Sequence, residues 1–252
     1  MPRATVISYH AVAACPREAD TENIYLPPDL FERQIEFLMR RRRVLPLDAL
    51  LHTLPGRGRP AVAITFDDAF RSVLSTAAPI LRRHGLPATV FAPTAWLGRR
   101  AAWYAPDGCE ATVMTADELR EIERSGIAVE SHGHGHIDLA AASPDEASED
   151  IRSAAACLED ILGRRPRYLA YPWGRSSPAA RAAARAAGFE AAFSVDLRTD
   201  GRYALERVGI TRLDGRLVYA LKTSGLYLGL RHSRLAGATY AAAKPLVRRR
   251  AH

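Results

Sequence analysis

Ten residues constrain this chain more than any others: Ala61 to Phe70, AVAITFDDAF, where a six-residue run rich in β-formers ends on two adjacent carboxylates, Asp67 and Asp68. A short apolar run bounded by charge reads as a buried strand. Two acids side by side at its end repel each other and lose solvation, so they need a metal ion, a basic partner or water. The alternative is an Asp pair capping a helix that starts near Ala69, since Asp is a good N-cap.

With 252 residues, 48% of them hydrophobic, the chain can bury one substantial core, and α/β barrels of this length are commonly single domains. Cys15, Cys109 and Cys157 are odd in number, widely spaced and lack a CxxC pair. They predict neither a disulfide framework nor a thiolate zinc site, and a reduced compartment. The start, MPRATVISYHAV, runs straight into strand-like alternation with no apolar leader core and no spanning stretch of about 20 residues. The expectation is therefore a cytoplasmic protein.

The net charge of +7 is unevenly placed. Eight of the 35 basic residues follow Asp214, the last acid, leaving 27 against 28 acidic residues in the rest. That balance excludes a generally basic nucleic-acid binder. The tail, LYLGLRHSRLAGATYAAAKPLVRRR, mixes apolar and basic residues, which fits either a helix with a solvated basic face or peripheral contact with an anionic membrane. The domain expectation is a catalytic unit over 1–214 and a basic helical extension over 215–252.

Strands are predicted at Ala4 to Tyr9, Ala61 to Phe66, Ala88 to Phe91, Ile127 to Glu130, Tyr168 to Ala170, Ala191 to Ser194 and Ala204 to Ile210, with a very short one at Val44 and Leu45. Between them lie helices over Pro28 to Arg41, Asp48 to Leu54, Arg71 to His84, Thr115 to Ser125, Ser143 to Leu162 and Pro178 to Ala187. The segment from Ala11 to Pro28 reads as a long functional loop. Strands alternating with helices argue a parallel sheet, either open and doubly wound or closed as a barrel. His10, Asp67 and Asp68, the histidine run, and Tyr171 to Gly174 each sit just after a predicted strand. In parallel α/β folds, active sites gather at the carboxyl ends of strands, so these clusters converge.

His132, His134 and His136 alternate with Gly133 and Gly135. On a strand all three face one way; on a helical turn His132 pairs with His136. Two histidines and one carboxylate leave positions open for water and substrate, a set suited to Zn²⁺, or to Fe²⁺, Co²⁺ or Ni²⁺. The second Asp is then free to act as general base, and His10 is an available acid.

These residues resemble the NodB-type polysaccharide deacetylases, the fourth carbohydrate esterase family. TFDDAF is similar to the family's TFDDG block, SHGHGHIDL to its H-(S/T)-x-x-H-P-x-L block and LAYPWG to its aromatic-Pro-aromatic-Gly block. LRRHGLPATVFAPTAWLG also matches in order, and the likeness covers Val6 to Ile210. The opening ISYHAV resembles the permuted poly-N-acetylglucosamine deacetylase branch, in which an N-terminal His supplies the acid. The resemblance implies a distorted (β/α)-barrel of about seven parallel strands. It implies Asp67 as general base, Asp68, His132 and His136 as ligands of a divalent metal, Zn²⁺ first, and His10 as general acid. The backbone N–H of Trp173 would donate to the oxyanion, while Tyr171, Pro172 and Trp173 would wall the sugar site. His134 falls on a variable position.

Three positions depart from the pattern. Ala69 stands for the motif Gly. Gly133 replaces the Ser or Thr that braces the His loop, which predicts a looser loop. Ala170 stands where many members carry an Arg that orients the base; Arg207, grouped with the substrate-facing residues, is a candidate substitute. The expected function is metal-dependent removal of N-acetyl groups from an amino sugar or polysaccharide. The alternatives are an amidase on a small or lipid-linked acetamido sugar, and a catalytically silent sugar-binding protein.

Overall fold

The computed structural model describes residues 4–52, 58–195 and 201–232. The chain begins with β1 (Ala4–Tyr9), two short strands β2 (Ala11–Val12) and β3 (Tyr25–Leu26), helix α1 (Pro28–Arg41), β4 (Arg43–Val44) and α2 (Leu47–His52). The charged strand of the sequence is β5 (Ala61–Phe66), buried at every position. A π-helical stretch, Val73–Ala77, runs into α3 (Ala78–Arg83), where a plain helix was expected. Then β6 (Thr89–Ala92), α4 (Ala116–Arg124), β7 (Ala128–Ser131), α5 (Pro144–Leu162), β8 (Tyr168–Ala170), α6 (Pro178–Ala186) and β9 (Ala191–Ser194) repeat the strand–helix rhythm. Both α4 and α5 start on complete capping boxes, Thr115 with Glu118 and Ser143 with Glu146, and α5 ends on Gly163 at φ 70°. The expected end of α2 at Leu54, part of the following turn, and residues 233–252 lie outside the described residues.

Every pairing between the named strands is parallel. β1 runs beside β5 over its whole length, Ala4 opposite Ala61 through Tyr9 opposite Phe66. On the far side of β5 come β6, β7, β8 and β9 in order. The strand expected over Ala204 to Ile210 is split in two. Its first half, β10 (Leu205–Glu206), pairs with β9, and its second half, β11 (Val208–Gly209), pairs with β1. One segment thus reaches both free edges of the sheet and closes it, with Arg207 at the break. Counting that segment once, seven strands circle a barrel, as expected.

α1 packs Phe31, Ile35 and Leu38 against Tyr9 and Phe66. The Tyr9 hydroxyl donates to Gln34 Oε1 and lies 2.9 Å from the Tyr219 hydroxyl. Tyr219 belongs to α7 (Arg216–Lys222), which with α8 (Tyr227–Arg231) forms the described part of the C-terminal extension. Buried Glu130, on β7, accepts from the backbone N–H groups of Arg167 and Tyr168 at the start of β8 and binds Arg164.

The cysteine expectation is corrected: Cys15 and Cys109 form a disulfide, with Cα atoms 5.1 Å apart, and Cys157 alone is free. Its partners are 94 residues apart in sequence and meet only because the segments after β2 and β6 fold over the same end of the barrel. No local spacing signals such a pair. Closing a loop of that length stabilises by about 4.6 kcal/mol in the chain-entropy picture. The variant with Cys15→Ser and Cys109→Ser is therefore expected to lose about that much in denaturant unfolding. Thiol titration of the unreduced, unfolded wild type should find one reactive thiol and, after reduction, three.

Candidate active site

The parallel sheet delivers its strand ends to one face. Asp67 and Asp68 follow β5, His132 follows β7, His10 follows β1, and Tyr171 to Gly174 follow β8. Backbone bonds extend the ladder into the site: Asp67 N–H donates to the Tyr9 carbonyl, and His132 N–H to the Ala92 carbonyl. Both acids and both outer histidines are buried.

The two carboxylates point at different partners. Arg207 holds Asp67 in a bidentate grip, Nη1 to Oδ1 at 2.7 Å and Nη2 to Oδ2 at 2.8 Å. Nη1 also reaches Thr65 Oγ1, whose hydroxyl donates to the Ile7 carbonyl. The guanidinium lies 5.1 Å from the Phe91 ring centre and 5.8 Å from that of Phe193, so it is packed inside the barrel. Burial pushes the Asp67 carboxyl up, but Arg207, with His132 and His10, more than offsets this and holds it below its ordinary range. Arg207 is 1% exposed. Its guanidinium is taken up by Asp67 and turned away from solvent, unlike the substrate-facing place expected of it, and it puts beside Asp67 the cation that Ala170 lacks.

Asp68 turns the other way. Its Oδ1 is 3.1 Å from His136 Nε2 and 3.4 Å from His132 Nε2, without hydrogen-bond geometry to either. Burial again acts upward on its carboxyl, and the two imidazoles beside it prevail, holding it well below its usual range. His132 Nδ1 donates to the Ala170 carbonyl at 2.8 Å, which leaves its Nε2 lone pair facing Asp68. One donor atom from each of Asp68, His132 and His136 lies within 4.8 Å of the others. Two buried carboxylates against one buried guanidinium leave a negative charge beside two imidazole nitrogens. That is chemistry a divalent cation fits.

His134 is not among the converging donors; its Nδ1 lies 2.8 Å from Thr94 Oγ1. His10 is half-buried, its Nδ1 has no partner, and it is near enough for its charge to lower both aspartates. Of the three expected wall residues only Trp173 is exposed, at 52%. Tyr171 is fully buried and its hydroxyl donates to the Tyr203 carbonyl, so it supports the loop from below. Pro172 is buried too.

Among the described residues five non-glycines have positive φ: Asn23, Asp68, Ala69, His136 and Trp173. Four of the five lie here, each costing about 1–3 kcal/mol. The motif's preference for Gly at position 69 is explained, since Ala69 sits at φ 48°.

The His loop is not loose. Asp150, on α5, accepts from His134 N–H at 2.9 Å and from Gly135 N–H at 2.7 Å. A Cβ at Gly133 would stand 2.6 Å from Asp150 Oδ2, so the missing Ser or Thr and this brace exclude each other. Asp150 escaped the sequence reading because it looks like one more acid on a charged helix. Trp103 escaped it as a loop aromatic; its indole lies flat on the His136 ring.

A family model described as Polysaccharide deacetylase matches residues 55–192, more than half of the chain. The chain belongs to the polysaccharide deacetylase family. A poly-β-1,6-N-acetyl-D-glucosamine N-deacetylase of Staphylococcus aureus is 25% identical over 192 residues, 70% of this chain and 63% of that protein's length. IcaB from Ammonifex degensii shares the fold, with a TM-score of 0.74 at 23% identity over 89% of this chain and 98% of that one. The Streptococcus pyogenes deacetylase PplD, solved in complex with acetate, does likewise: TM-score 0.73 and 23% identity over 88% and 97% of the two chains. This polysaccharide deacetylase domain thus carries the (β/α)-barrel of its relatives.

Removing one member of a buried pair leaves an uncompensated charge, at about 3–5 kcal/mol. Arg207→Met should lose stability on that scale, and Asp67→Asn combined with Arg207→Met should recover much of it, as read by a double-mutant cycle in urea. Asp150→Ala should cost about 3 kcal/mol by orphaning two backbone donors. Amide exchange at His134 and Gly135 would rise before that of the barrel strands; unchanged protection there would exclude Asp150 as the brace.

Proposed function

We propose that this domain hydrolyses the acetamide of an N-acetylated amino-sugar polymer, releasing acetate and leaving a free amine. The observation that carries the reading is the division of labour between neighbours: Asp68 faces the Nε2 atoms of two histidines, and Asp67 is held apart from them by Arg207. A silent sugar-binding barrel has no need of a buried trio of one carboxylate and two imidazoles of this kind. The polymer is inferred from the Staphylococcus aureus relative, which by its name acts on poly-β-1,6-N-acetyl-D-glucosamine.

Asp68, His132 and His136 would hold a divalent ion, Zn²⁺ being the best fit to two imidazoles and one carboxylate. When bound, the ion supplies Lewis-acid chemistry to water and to the acetamide carbonyl. Asp67, kept ionised by Arg207, takes the proton as water attacks. His10 gives a proton to the departing amine. The backbone N–H of Trp173 donates to the developing oxyanion, and the exposed indole of the same residue offers a face to the sugar.

The Cys15–Cys109 disulfide favours an oxidising compartment over the cytoplasm expected from the sequence. No described helix is long and apolar enough to cross a membrane. Peripheral contact is supported by α7, which exposes Leu217 at 86% and Val218 at 46% in the basic C-terminal extension.

Asp67→Asn is expected to slow acetate release from N-acetylglucosamine oligomers by about 10²- to 10⁴-fold while zinc still binds. Wild-type turnover in that variant would sink the base assignment. Dialysis against a chelator should abolish release from the wild type, and one equivalent of Zn²⁺ should restore it.

A further inference from the structure

Histidines that bind metals are ordinarily oriented through their second ring nitrogen. His132 follows that rule through the Ala170 carbonyl. His136 does not: its Nδ1 is buried without a hydrogen-bond partner, and its backbone sits at the strained φ of 55°. What its ring has instead is an indole. Trp103 lies 3.8 Å from it, centre to centre, with the planes 13° apart, while Trp173 meets the same ring edge-on at 5.3 Å.

Trp103 is itself held from several directions. Trp96 packs edge-on against it at 5.3 Å and donates its Nε1–H to the Gly135 carbonyl, one residue before His136. Its neighbour Tyr104 donates to Asp20 Oδ1, and Asp20 also takes the N–H groups of Ile24 and Tyr25. Arg100 donates to the carbonyls of Ala105, Pro106 and Cys109, and Cys109 is bonded to Cys15. These bonds staple the loop so that one aromatic face rests on one imidazole.

We propose that Trp103 is the positioning residue for His136, doing by stacking what a hydrogen bond at Nδ1 does for other metal-ligating histidines. This rests on the reading of Asp68, His132 and His136 as a metal site. Stacking fixes the plane of the imidazole and so the direction of its Nε2 lone pair, without competing for the ring's protons. It also excludes water from one face of the ligand, which strengthens the electrostatic attraction of the site for a cation.

The test is zinc affinity of the full, oxidised chain, measured by competition with a chromophoric chelator. Loss of a group that orients a metal ligand typically weakens affinity about 10- to 100-fold. Trp103→Leu, which fills space without a ring, is expected in that range, and Trp103→Phe, which restores a ring, within about 3-fold of wild type. The visible spectrum of the cobalt-loaded Leu variant should shift as well, since it reports ligand geometry. Equal affinities for the Leu and Phe variants, both near wild type, would overturn the proposal with the metal site intact. Equal weakening of both would overturn it too, because stacking would then not be the cause. A wild type that fails to bind zinc, or His136→Ala binding as tightly as wild type, would overturn the metal site itself and the proposal with it. Leu119→Ala, a core change in α4, serves as the stability control and should leave zinc affinity unchanged.

Discussion

The ion pair between Arg207 and Asp67 is the constraint on which the rest of the site depends. Two aspartates adjacent in sequence and fully buried cannot both ionise without compensation. The guanidinium takes one of them completely, with both oxygens bonded, and frees the other to face the histidines. It does so from inside the barrel, between Phe91 and Phe193, where the low dielectric strengthens the pair and makes its loss costly. The same residue lies at the break between the strand halves that close the sheet. Closure of the barrel and charge compensation of Asp67 are therefore one structural event.

Around that pair the site is rigid by a set of unlike devices. Asp150 ties the His loop from α5, the Ala170 carbonyl fixes His132, and Trp103 covers His136. Each replaces freedom that the glycines of the loop would otherwise allow. The left-handed residues at Asp68, Ala69, His136 and Trp173 show where the chain has been bent to aim groups inward. Such strain persists only when surrounding contacts over-determine it, and the brace, the stack and the disulfide are those contacts.

Much of this could be read from residue order. The strands at 4–9, 61–66, 168–170 and 191–194 and the two capping boxes have local causes, namely β-rich runs and side chains that bond the nearest free N–H groups. The convergence of His10, the Asp pair, the His run and Trp173 on one face followed from parallel strands alone, because a parallel sheet puts every strand end on the same side. Sequence also carried the family, since its three motif blocks are contiguous.

What the sequence could not determine involved partners far apart along it. Arg207 and Asp67 are 140 residues apart, Cys15 and Cys109 are 94 apart, and Trp103 and His136 belong to different loops. Spacing rules reach about one turn of helix or one strand, whereas these contacts depend on how the barrel closes. The sequence alone determined that a buried strand ends on two carboxylates in need of counterions. Only the tertiary structure decided that one counterion is an arginine from the closing strand and that the second carboxylate is gathered with two buried histidines. The physical reason is that charge compensation in a buried site is set by distance in space, and closure of the sheet is what fixes that distance.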